Sequence, residues 1–172
     1  MKFPILLIMT VILFGCLDKD PNRDTYSEQV LEENEITQDL KPSDYVRTDS
    51  VYVPIYSNIY SRSKEMSFLL TATLSIRNTS FSDTLYINSI DYYNTEGDLV
   101  NRYLEQPIFL KPMASIDYVV DEEDDSGGSG ANFIVVWGSQ SSTTQPIIQA
   151  VMISTNGQQG VAFTTEGKSL SD

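Results

Sequence analysis

The side chains in this chain able to do chemistry are carboxylates, hydroxyls and one thiol; histidine is absent. Without an imidazole there is no Ser-His-Asp or Cys-His nucleophile system and no His-ligated zinc site. The densest candidate is the run Asp121, Glu122, Glu123, Asp124 and Asp125. Successive carboxylates followed by glycines, which permit tight turns, could wrap Ca2+ in oxygen ligands. The acidic residues do not alternate as they do in a helix-loop-helix calcium loop. The competing reading is a solvated acidic loop that guards its neighbouring strands against edge pairing. Ser126 then precedes Gly127 and Gly128, an order found where a nucleophilic serine lies beside an oxyanion-binding amide. No base exists to take its proton, so this is read as a glycine loop between strands. Ser61-Arg62-Ser63-Lys64 has the spacing that brings a lysine amine to a serine oxygen across one helical turn. Its polarity predicts an exposed connection instead. Glycoside hydrolysis needs two carboxyl groups about 5.5 or 6.5–9.5 Å apart across a cleft. A small sandwich with short loops has little room for one.

The thiol is more specific. Lys2 is followed by an apolar run over residues 5–14 and then by Leu13-Phe14-Gly15-Cys16. As a helix that run spans about 15 Å, half of the ~30 Å hydrocarbon core. An aliphatic residue at −3, a small one at −1 and Cys at +1 resembles the bacterial lipobox, with Phe14 bulkier than usual at −2. The chemistry requires cysteine because its thiol takes diacylglycerol as a thioether. Cleavage after Gly15 then frees the Cys16 amine for a further acyl chain such as palmitate, and two or three chains make membrane binding durable. Residues 1–15 are therefore expected to be a signal peptide and Cys16 a lipidation site. Leu17-Asp18-Lys19-Asp20 resembles the acidic sorting signals of surface lipoproteins in Bacteroidetes-type bacteria. The expected location is the bacterial cell envelope, at the outer membrane of a Gram-negative cell.

The rest of the chain must present a domain. With 172 residues there is room for one, plus an appendage. A net charge of −13 argues against a grip on nucleic acid, which needs a basic face to release counterions. A single cysteine excludes an intramolecular disulfide. Residues 16–48 are acidic, contain no glycine and have only a thin apolar stripe at Val30, Leu31, Ile36 and Leu40. They are read as a disordered tether with a reach on the order of 30 Å, enough to hold the domain clear of the headgroups.

Within 49–172 the hydrophobic period is two. Val51, Val53 and Ile55 alternate with Tyr52, Pro54 and Tyr56, and Pro54 predicts an edge strand. Phe68, Leu70, Ala72, Leu74 and Ile76 form the clearest alternation. Leu85 and Ile87 differ in parity from Ile90 and Tyr92, which predicts a bulge near Asn88 or Ser89. Ala131–Trp137 is apolar on both faces and should be central. Residues 147–154 and 160–165 form a closing hairpin. The expected fold is an antiparallel, Ig-like β-sandwich of about seven to nine strands, with a small barrel as the alternative.

The strings VYVPIYS, TATLSIRNTS, DYYNTEG, SGGSGANFIVVW and AVMISTNGQQG occur in this order. Together they resemble a bacterial domain-of-unknown-function family, number 3124, over roughly Val51 to Phe163. The resemblance implies an exported or lipid-anchored bacterial protein. It implies no activity and carries no functional residue across.

Tyrosines offer a recognition chemistry, since the ring adds contact area at low entropic cost. Tyr52 and Tyr56 are expected to share a strand face as a partner surface, with Tyr92, Tyr93, Tyr103 and Tyr118 on other strands. The competing reading places most of these rings in or beside the core. Asp49-Ser50-Val51 and Asp83-Thr84-Leu85 resemble O-glycosylation sites of Bacteroidetes-type exported proteins. Asn78-Thr79-Ser80 is an N-glycosylation sequon in form and a strand-ending turn in context. The reading that joins these observations is a non-enzymatic, lipid-anchored binding or structural module without a resident cofactor. Its partner would be an envelope protein or a glycan. The alternatives are a carboxylate-based envelope hydrolase and a Ca2+-stabilised surface module.

Overall fold

A computed structural model describes residues 44–142, 144–156 and 159–171. Residues 1–15, Cys16 and nearly all of the expected tether lie outside the described residues. Strands with every second side chain apolar must bury one face, and two such sheets satisfy each other by stacking. Twelve strands do this among the described residues: β1 (Arg47–Pro54), β2 (Asn58–Tyr60), β3 (Ser67–Leu69), β4 (Thr71–Arg77), β5 (Leu85–Tyr93), β6 (Leu99–Arg102), β7 (Ile108–Leu110), β8 (Ser115–Val120), β9 (Asn132–Ser139), β10 (Ile147–Asn156), β11 (Gln159–Glu166) and β12 (Lys168–Ser169). One sheet runs β12-β1-β9-β5-β6, with β7 also on β5; the other runs β11-β10-β4-β8. β2 and β3 form a separate ribbon, and every pairing is antiparallel. Both main sheets keep open edges, so the architecture is the expected sandwich and not the barrel. The count exceeds nine because β2, β3, β7 and β12 are two or three residues long, too short to show a period.

The core lies between the sheets. Trp137 and Phe133 from β9, Ile87, Ile90 and Tyr92 from β5, Leu74 and Ile76 from β4 and Met152 from β10 are all buried. A large apolar side chain contributes about 1.5–3 kcal/mol when fully buried. β9 is central, between β1 and β5, as its two apolar faces predict. The bulge falls where the parity changes, between Ile87 and Ser89.

Two expectations need correction. β1 is not an edge strand, because the last two-residue strand, β12, returns from the second sheet to pair with Val51 and Tyr52. Pro54 is tolerated because it is the final residue of β1, beyond the reach of β12. The long alternation from Phe68 to Ile76 is also not one strand. Leu70 breaks it, donating its N–H to Ser57 O at 2.9 Å. Residues before the break join the ribbon, and those after it join the second sheet.

The topology gives the sandwich two distinct ends. At one, Ser139 pairs with Arg47 and Leu85, Leu85 with Leu110, and Arg77 with Ile147 and Ser115. The described chain begins here at Asp44, so this is the entry end. Val46 already donates to Ser139 O at 2.9 Å, so ordered pairing starts ahead of residue 49. The Tyr45 ring lies on Gly138, where a Cβ would come within 2.7 Å of it. At the opposite, loop end, Pro54 pairs with Asn132, Asn132 with Tyr93, and Ala72 with Val120. The ribbon and the segment 121–131 also lie there.

Candidate functional site at the loop end

The loop end is built on a hydrogen-bonded frame. After β1, Ile55 N–H donates to Ala131 O and Ser57 N–H to Gly128 O, each at 2.9 Å. The turn after β5 is closed by Asp98 N–H donating to Asn94 Oδ1 at 2.8 Å. It presents Thr95, whose N–H and hydroxyl both donate to Gly127 O at 2.9 Å. Thr95 Oγ1 in turn accepts from Gly130 N–H at 3.0 Å. Beneath this, the buried hydroxyls of Ser57 and Tyr92 lie 3.0 Å apart in a hydrogen bond. Burial raises the Tyr92 phenol above its usual range, opposed by the Ser57 hydrogen bond. The phenol therefore stays neutral at pH 7. Gly127 is required because a Cβ there would overlap the Tyr92 hydroxyl and lie 2.7 Å from Ala131 Cβ. The Gly127–Gly130 segment is thus a fixed loop and not slack chain.

Above the frame is an open concavity of about 340 Å3. Asn58, Tyr60, Glu96, Asp125 and Ser126 line it beside the glycine loop. Tyr60 is 60% exposed and offers a flat apolar face. The amide and carboxylates around it supply hydrogen-bond donors and acceptors. An exposed ring beside convergent polar groups on a rigid loop suits a polyhydroxylated ring compound, stacked on one face and hydrogen-bonded at its edge. Glu96 and Asp125 are both exposed.

The residues singled out in the sequence divide unevenly. Asp121, Glu122, Glu123, Asp124 and Asp125 form an exposed turn at this end. Among the described residues no three metal-ligating side chains gather to hold an ion. Two of the acidic side chains take hydrogen bonds. Glu122 accepts from the Ser154 hydroxyl at 3.3 Å, and Asp124 accepts from the Ser126 hydroxyl and N–H. Only Asp125 of the run lines the concavity. The Ser61–Lys64 segment lies in the exposed turn between β2 and β3, with no helix to align serine and lysine.

Tyr52 and Tyr56 keep the same parity, both half-buried in an alternation that runs from Val51 to Ser57. Tyr56 packs against the core and meets Phe163 edge-on at 5.8 Å. Tyr52 is half-buried and stays in β1, opposite Ile134. Tyr103 meets Tyr118 edge-on, with ring centroids 5.2 Å apart. The exposed tyrosine that counts at the concavity is Tyr60. A three-residue strand gave its position no period, although its place four residues after Tyr56 in a Tyr-rich segment was a signal. Asn58, Thr95 and Glu96 were also missed, because only the fold brings the turn after β5 to the ribbon.

The entry end holds a second, smaller groove of about 230 Å3, lined by Arg47, Asp49, Trp137 and Gln145 among others. The Arg47 guanidinium lies 5.5 Å from the Trp137 ring centroid. Burial pushes the Asp49 carboxyl up, but hydrogen bonds from the Ser171 and Ser169 side chains and the Ser50 backbone bring it below its usual value. Asn78 is buried and donates to Asp83 O, Leu110 O and Lys111 O at 2.8, 3.1 and 3.0 Å. An amide so committed cannot receive a sugar, so the sequon is a structural turn. Ser50 and Thr84 are half-buried.

Fold and site together define a class: an antiparallel β-sandwich with a preformed polar concavity on the loops opposite its chain entry. The chain belongs to the family described as "Protein of unknown function (DUF3124)", whose model matches residues 48–170. Among solved structures it is similar to the crystal structure of Thermotoga maritima 1070. That similarity is 12% identity over 70% of this chain and 92% of the other, at a TM-score of 0.39. No curated protein matches the chain.

Proposed function

We propose that this protein is a non-enzymatic, lipid-anchored glycan-binding module of the bacterial cell envelope. Cys16 carries the lipid, residues 17–43 are the tether, and the outer membrane of a Gram-negative cell is the membrane it occupies. The observation that carries the binding reading is the exposed Tyr60 ring beside the rigid Gly127–Gly130 loop, with Asn58, Glu96 and Asp125 around one concavity. The lipobox-like Leu13-Phe14-Gly15-Cys16 supports the anchor. The test uses the intact acylated protein in detergent, applied to an array of bacterial envelope oligosaccharides. Retention of one glycan class that Tyr60→Ser abolishes supports the reading. Retention unaffected by Tyr60→Ser overturns the site. Cleavage of a retained glycan, lost in Glu96→Gln or Asp125→Asn, replaces binding with hydrolysis. Absence of retention, with a single envelope protein captured by in-cell crosslinking, replaces the glycan with a protein partner.

A further inference from the structure

The entry end carries an apolar rim that the binding site does not use. Phe81, in the loop between β4 and β5, is 87% exposed. Met113, in the loop between β7 and β8, is 60% exposed. The two loops touch, with Met113 N–H donating to Ser80 O at 3.1 Å. Isolated surface apolar residues are ordinary, but these two stand on loops bonded to each other, Met113 to the residue next to Phe81. Buried Asn78 ties them together, bonding Asp83 O in one loop and Leu110 O and Lys111 O in the other. Met113 also has φ 62, the only positive φ at a non-glycine among the described residues. It follows Pro112 in a turn closed by Ala114 N–H donating to Lys111 O at 3.0 Å, a position that favours glycine or asparagine. A bulky apolar side chain kept there at conformational cost points to a use for that side chain.

Charge divides in the same direction. The entry end carries Arg47, Arg77 and Lys111 against Asp44, Asp49 and Asp83, an even balance. The loop end carries Arg62 and Lys64 against Glu65, Glu96, Asp98 and the whole run Asp121–Asp125. In a chain of net charge −13, the entry end is the one face an anionic surface would not repel. It is also the end where residues 1–43 join the domain. We propose that the entry end seats on the lipid bilayer, with Phe81 and Met113 entering the headgroup region and the loop-end concavity facing away. This rests on the Cys16 anchoring reading above. A tether with a reach on the order of 30 Å lets the domain stand clear, and equally keeps a weak lipid-binding face at high effective concentration over the membrane.

The test uses the intact acylated chain in vesicles of phosphatidylethanolamine and phosphatidylglycerol. Cys16 is blocked as a thioether, so one introduced cysteine takes an environment-sensitive fluorophore. On Ser82→Cys the emission should shift to shorter wavelength, be quenched by bromine-labelled lipid and be protected from aqueous iodide. On Ser63→Cys, at the opposite end, it should stay aqueous. Adding Phe81→Ser and Met113→Ser should return the Ser82→Cys probe to water while the protein still floats with the vesicles. A Ser82→Cys probe that is aqueous on membrane-bound protein overturns the seating. Protection from iodide without quenching by lipid means contact between copies and overturns it too. A chain whose intact mass shows no diacylglycerol on Cys16 overturns the anchoring reading instead.

Discussion

The two ends of the sandwich are fixed by different means. The loop end is held by hydroxyls and glycine: Ser57, Tyr92 and Thr95 grip the backbone of Gly127 to Gly130, and side-chain volume is excluded. The entry end is held by two loops bonded to each other: the Asn78 side chain reaches three carbonyls, the Asn78 backbone N–H donates to Ala114 O and Met113 N–H donates to Ser80 O. A frame of several shared bonds presents a polar hollow without depending on any single group. Two loops joined in large part through Asn78 present an apolar rim and gather many of their polar contacts on one residue.

That contrast can be broken by mutation. The largest effect is expected from Asn78→Ala. It removes the side-chain donor from Asp83 O and Leu110 O and strands the Ser80 N–H that Asn78 Oδ1 accepts at 3.0 Å, while Lys111 O keeps the Ala114 N–H. With buried unpaired groups costing ~1–3 kcal/mol each and some recovered by water, a loss of about 3–4 kcal/mol is expected in urea melts. A loss below about 1 kcal/mol would show that the entry end is not clamped at this residue. Gly127→Ala should come next, at about 1–3 kcal/mol, because its Cβ must displace a buried phenol and press on Ala131. If the loop end is the shared frame described, the same variant should also lose ligand retention, whereas Asn78→Ala should weaken binding only through global stability. The smallest effect concerns pH. The Asp49 carboxyl is lower in the folded protein than in the unfolded chain, so its contribution is present above the unfolded value near ~3.9 and is lost as pH falls through the folded value. The group is largely exposed, so the expected difference is under ~1 kcal/mol. Thermal melts of wild type and Asp49→Asn should converge in acid and separate, with wild type the more stable, toward neutrality.

How much of this was legible in the sequence depended on the range of the interactions. Periodicity over several residues located β4, β5, β9 and the β10–β11 hairpin, and a change of parity located the bulge after Ile87. Pairing of two residues across the whole chain left no such trace. β12 is the example, and its absence from the reading made Pro54 suggest a sheet edge. The acidic run and the glycine loop were visible, but their role depended on Thr95, about thirty residues away in sequence and in direct contact in space. The alternation that carries Tyr52 and Tyr56 outlasts β1: Val51, Val53, Ile55 and Ser57 are buried, and the residues between them are half-buried.

The return of β12 to β1 has a mechanical consequence. β1 runs from the entry end to the loop end and is paired over its full length with β9, from Arg47–Ser139 to Pro54–Asn132. β12 covers its middle from the other side. A pull between the N-terminal chain and anything held at the loop end acts along β1, parallel to the strand and across its hydrogen bonds. In that shear geometry the bonds of both ladders share the load at once, where a perpendicular pull would peel them one at a time. The sandwich is therefore oriented to resist a pull between its N-terminal chain and its loop end.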